Sequence, residues 1–113
     1  TPVNATAFSA SASRLDTRTI PESYIFLRDV AVLPFPWIYQ APEKIADSLT
    51  PEFPIALLEN DCALVLGKTI LDAFDRLEVL ESTAEAVILS RSLGEVRPMG
   101  DEVIDELVAA FLS

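Results

Sequence analysis

The side chains that could do chemistry crowd into one short stretch, Glu59-Asn60-Asp61-Cys62, with a Gly67-Lys68-Thr69 step close behind. The chain has no histidine. The commonest transition-metal ligand and the usual near-neutral acid/base are therefore both missing. Chemistry here must rest on carboxylates, one thiol, tyrosines, or a metal held elsewhere. Asp61 is a candidate metal ligand, because carboxylate oxygens bind zinc and harder cations. The competing reading is a residue chosen for its turn conformation, and turn chemistry alone favours that reading. Cys62 could bind a soft metal as thiolate. A small buried side chain at a strand start is the plainer reading. Glu59 and Asp61 flank Asn60, and a two-carboxylate acid/base pair there is a weak proposal. Gly67-Lys68-Thr69 ends like a phosphate-binding loop but lacks the earlier glycine at the required spacing, so it reads as a strand-to-helix turn.

These residues need elements to position them. Ile55–Glu59 and Cys62–Leu66 are apolar runs with the composition of strands. Only Asn60-Asp61 lies between them, which predicts a tight antiparallel hairpin with Asp61 displayed at the turn. Both runs are apolar on both faces, so the sheet they join is expected to be covered on both sides. Thr69 then caps the longest element, with Thr69-x-x-Asp72 as an approximate capping box. Ile70, Ala73, Phe74, Leu77, Leu80, Ala84, Val87 and Ile88 follow helical spacing. Asp75, Glu78, Glu81 and Glu85 mark a solvated face, and Gly94 is a natural stop.

Upstream, Asn4 is expected to cap a helix over Ala5–Ala12. Pro21 opens a helix to about Leu27. Val30–Leu33 reads as a strand ended by Pro34 and Pro36. Pro42 opens another helix to about Leu49. A last helix covers Asp101–Leu112. The order of elements implies an α/β fold with helices on a central sheet. Phe35, Pro36, Trp37, Ile38 and Tyr39 form an aromatic cluster between prolines. It reads equally as a subunit contact or as a loop folded onto its own core.

Composition narrows the function classes. The 113 residues carry a net charge of −10. The acid is uneven: residues 1–50 hold five acidic and four basic side chains, and residues 51–113 hold thirteen and four. No basic stripe exists, which argues against a nucleic-acid partner and against an anionic membrane surface. Half of the residues are hydrophobic, enough for a real core. No apolar run approaches the ~20 residues of a membrane span. A single cysteine permits no internal disulfide and fits a reducing compartment, so a cytoplasmic location is expected. The chain opens Thr1-Pro2-Val3, and Met99 is its only methionine. This reads as a processed protein, an excised piece, or one chain of a split protein.

The stretch Leu57-Leu58-Glu59-Asn60-Asp61-Cys62, the strand Ala63–Leu66, Gly67-Lys68-Thr69 and Asp72-Ala73-Phe74 resemble a pattern of the class II aldolase/adducin family. There the corresponding run is leucines, Asn-His-Gly, an apolar strand, Gly-Lys-Thr, and a helix beginning with Ala-Phe. Ser92-Leu93-Gly94 and Asp101-Glu102 continue the likeness. Thr1-Pro2-Val3-Asn4-Ala5-Thr6-Ala7 is similar to the segment that follows the family's His-x-His motif.

The resemblance implies a three-layer α/β/α class II aldolase-like fold. It implies one domain over residues 1–113 that lacks the family's N-terminal portion. It also implies a carbon–carbon lyase acting on a sugar or sugar phosphate. In the active family, three histidines hold a divalent metal, usually zinc, that polarises the ketose carbonyl. Here Asp61 stands where the third ligand would be, and Cys62 replaces the glycine. The other two ligands would lie before Thr1. Tyr24 aligns loosely with a tyrosine the aldolases use as a proton donor; a packing tyrosine is the plainer reading. Cyclic tetramers, or pairing with a complementary N-terminal segment, are the partners implied. An adducin-like assembly or binding role without catalysis is the alternative.

Overall fold

The computed structural model describes residues 2–112. Three short strands form the centre. β1 (Ala31–Leu33) pairs in parallel with β2 (Ile55–Leu58), and β2 pairs antiparallel with β3 (Cys62–Val65), giving the order β1-β2-β3. Helices α1 (Val3–Ser9), α2 (Pro21–Leu27), α3 (Trp37–Gln40), α4 (Pro42–Ser48), α5 (Ile70–Ser90) and α6 (Asp101–Leu107) surround them, and Val108–Leu112 continues α6 as a π-helical turn. No described helix is long and apolar enough to cross a membrane.

The sheet separates two cores because successive strand residues face opposite ways. Ile55 and Leu57 point to one side, where they pack with Ala5, Phe8, Leu27, Leu80, Ala84 and Val87. Ala56 and Leu58 point to the other, where Leu33, Trp37, Ile45, Leu49 and Leu64 meet them. Helices α1 and α5 thus cover one face and α3–α4 the other, which is the three-layer α/β/α arrangement the sequence implied. All four β2 residues are buried. Each large aliphatic side chain hidden there contributes roughly 1.5–3 kcal/mol by apolar burial.

Several local expectations need correction. The hairpin connection has three residues, not two: Leu58 pairs with Cys62, so Glu59 belongs to the turn. Of the three turn residues only Asn60 has positive φ, at 60°, and Asp61 N donates to Leu58 O at 3.1 Å. That is the geometry of a type II turn, which favours Gly or Asn at its third position. Helix α1 begins at Val3, not Ala5, and ends at Ser9. Asn4 does not cap it with its own side chain; a carboxylate from α5 takes that role. On α5, Ile70 (91 % exposed) and Phe74 (53 %) lie outside the core, because β3 ends at Val65 and the first turns of α5 run past it. α5 ends at Ser90, with Gly94 beyond it in the turn that follows. In the aromatic cluster, Trp37, Ile38 and Tyr39 lie in the short helix α3, and Phe35 and Pro36 form the turn before it.

Gly67 is required by packing. A Cβ there would lie 2.4 Å from the backbone nitrogen of Ala73. Only glycine lets the chain leave β3 this close to the first turn of α5. Thr69 then caps α5 as the sequence indicated: its Oγ1 accepts from Asp72 N at 3.0 Å, while Asp72 Oδ2 accepts from Lys68 N at 2.9 Å.

Candidate functional site

Asp61 sits at the bend between two paired strands, where the sequence placed it. The turn is tied down on both sides. Asn60 N donates to Ser9 O at 2.8 Å, and Glu59 N donates to Leu33 O at 2.9 Å. The end of α1 and the end of β1 therefore fix the hairpin tip through its backbone, leaving the Asp61 side chain exposed. It opens on a shallow cavity of about 440 Å³ whose other walls include Thr6, Cys62, Ala63, Phe74 and Leu77. Asp61 is the only carboxylate among its lining residues. Glu59 does not share that cavity, so the two-carboxylate pair is not assembled.

Cys62 is half-buried, and burial together with the neighbouring Asp61 charge pushes its thiol up. This works against a metal-binding thiolate, since it is the deprotonated form that ligates. Among the described residues no three His, Cys, Asp or Glu side chains converge on a point that could hold a metal ion. A zinc site needs three or four protein donors. Asp61 alone does not fit such an ion.

Tyr24 is elsewhere. It is buried in α2 beneath two guanidinium groups, Arg18 at 5.4 Å and Arg28 at 5.7 Å from its ring centroid. It does not line the Asp61 cavity. Arg18 is fully engaged: its Nε and Nη2 meet the two oxygens of Asp29 at 3.1 Å each, and its Nη1 lies 3.5 Å from Asp101. The hydrogen bond to Asp29 raises its pKa further. Lys68 is exposed and Thr69 serves the helix, so Gly67-Lys68-Thr69 is the strand-to-helix turn expected. The aromatic cluster divides: Trp37 packs inward with Lys44 5.4 Å from its ring, while Phe35 and Tyr39 meet edge-on at 6.0 Å near the surface.

Sequence reasoning missed Arg28. It follows α2 with φ 56° and ψ −156°, a region open almost only to glycine and costing a larger residue about 1–3 kcal/mol. The one available signal was a helix ending in Leu27-Arg28-Asp29 with no glycine or asparagine to stop it.

Comparison with protein-family models and with curated proteins found no match. Solved structures do match. L-fuculose 1-phosphate aldolase from Glaciozyma antarctica PI12 superposes with a TM-score of 0.73 at 24% identity, over 94% of this chain and 40% of that one. YgbL from Escherichia coli, described as an aldolase/epimerase/decarboxylase, gives 0.78 at 23% identity, over 92% and 52%. YgbL from Klebsiella pneumoniae, described in the same words, gives 0.68 at 28% identity, over 92% and 52%. The chain therefore has the class II aldolase-like fold over nearly all its length, and the resemblance read from its sequence holds at that level. It spans 40% to 52% of the length of these neighbours.

Proposed function

We propose that this chain is the hairpin-bearing part of a class II aldolase-type carbon–carbon lyase that acts on a sugar or sugar phosphate. The observation that carries this reading is Asp61 at the tip of a rigidly anchored hairpin, open to a cavity, in a fold shared with a fuculose-phosphate aldolase. On this reading residues 1–113 are one domain without the family's N-terminal portion. A divalent ion, zinc by the resemblance, would take Asp61 and further donors from outside these residues, and these 113 residues alone turn nothing over. Assembly into a tetramer, or with a complementary segment, is part of the same proposal. So is a cytoplasmic location, which the lone cysteine supports.

The test is retro-aldol cleavage of ketose phosphates by the protein made from its natural reading frame. Cleavage that falls at least a hundredfold in Asp61→Ala supports the lyase. A second reading, a non-catalytic adducin-like assembly domain, is favoured by Asp61 being the one acidic donor at its cavity. No cleavage in the parent protein would favour that reading.

A further inference from the structure

We propose that Arg28 is an oxyanion-binding residue, which takes a phosphate group or a carboxylate on the guanidinium it holds beside Tyr24. The inference is independent of the lyase reading and of Asp61.

The backbone at Arg28 asks for glycine, with φ 56° and ψ −156°. Its carbonyl is held there by the hydroxyl of Thr17, a buried residue, at 2.5 Å. An arginine in that position is strained, so its side chain is the reason to look for. Yet that side chain makes no ion pair and no hydrogen bond among the described residues, in a chain with 18 acidic groups. Its Nε is buried without a partner and is the only such side-chain atom among the described residues. A strained backbone and an unpaired buried donor both disfavour folding. The Tyr24 ring, 5.7 Å from the guanidinium carbon, is a compensating contact among the described residues.

Arg18 sets the contrast. It touches the same ring and is neutralised by Asp29 and Asp101. Among the described residues Arg28 has no such partner. Nε is sealed, but Arg28 as a whole is only partly buried, which leaves the two Nη groups as the edge of the fork on which a ligand can be tested. A planar guanidinium fixed in this way suits two acceptor oxygens on one ligand atom, as phosphate and carboxylate present them.

The experiment is a titration of the protein made from its natural reading frame with inorganic phosphate and, separately, with sodium acetate. Sodium chloride at matched ionic strength is the reference. Nuclear magnetic resonance reads the Arg28 Nε–H signal and the Tyr24 ring protons. A saturable shift with phosphate alone assigns a phosphate group, and one with acetate alone assigns a carboxylate. A saturable shift with both assigns oxyanions in general. Arg28→Gly is expected to melt no lower than the parent and to bind at least about tenfold more weakly. Arg28→Lys keeps the charge, loses the fork and is also expected to bind more weakly. Shifts that match chloride, or an unchanged saturable response in both variants, would overturn the assignment.

Discussion

Glu81, in the middle of α5, caps α1 across most of the sequence. Its Oε2 accepts from Asn4 N and Asn4 Nδ2 at 2.9 Å each, and its Oε1 accepts from Ala5 N at 2.8 Å. A carboxylate thus satisfies amide donors at the start of α1 that would otherwise lack partners. It docks α1 on α5, and α1 in turn holds Asn60 at the hairpin tip through Ser9 O.

Replacing that carboxylate should loosen the whole arrangement. Glu81→Ala is expected to cost about 1–2 kcal/mol, the size of a lost helix cap with charged hydrogen bonds. Urea unfolding measures it. Glu85→Ala, on an exposed position of the same helix, should change stability by less than about 0.5 kcal/mol.

Gly67→Ala tests the close approach of the strand exit to α5. The new Cβ would meet backbone at 2.4 Å, and backbone cannot step aside as a flexible side chain can. A loss of about 2–3 kcal/mol is expected, read from the denaturant midpoint. A neutral substitution would show that α5 starts further from β3.

The turn itself is testable at Asn60. Its φ of 60° suits asparagine and glycine. Asn60→Gly should leave stability nearly unchanged, whereas Asn60→Val should lower it by about 1 kcal/mol or more. Urea unfolding of the two variants side by side gives the comparison.

Much of this was legible in the sequence. Thr69 and Asp72 interact within one helical turn, so their types and spacing sufficed. Asn60-Asp61 between two apolar runs marked the hairpin, and the two-faced apolar strands marked a covered sheet. What escaped were effects of residues far apart. Glu81 looked like one more solvated acid, because its partners lie 76 and 77 positions away. Ile70 and Phe74 fit the helical stripe, yet the helix overruns the sheet it packs on. Glu59 moved from strand to turn because the pairing of Leu58 with Cys62, a matter of register, left it out. For the site, Asp61 was found at its expected bend, but sequence spacing could not show that Tyr24 and Asp61 face different surroundings.

Asp72 gives a pH signature. The backbone hydrogen bond from Lys68, helped by Arg76, holds its carboxyl below the usual range. A carboxyl lowered on folding stabilises the protein above its unfolded pKa of about 4, and the effect is lost as pH falls through the folded value. Asp72→Asn should therefore narrow the stability gap between pH 5 and pH 2. Thermal melts of parent and variant at both values provide the check.

The proposed function turns most directly on metal content. Elemental analysis of the protein purified from its natural reading frame, beside Asp61→Ala, decides it. One divalent ion per chain in the parent, and little in the variant, is the expected result. No ion in the parent, or an equal amount in both, would contradict a ligand role for Asp61 and with it the lyase.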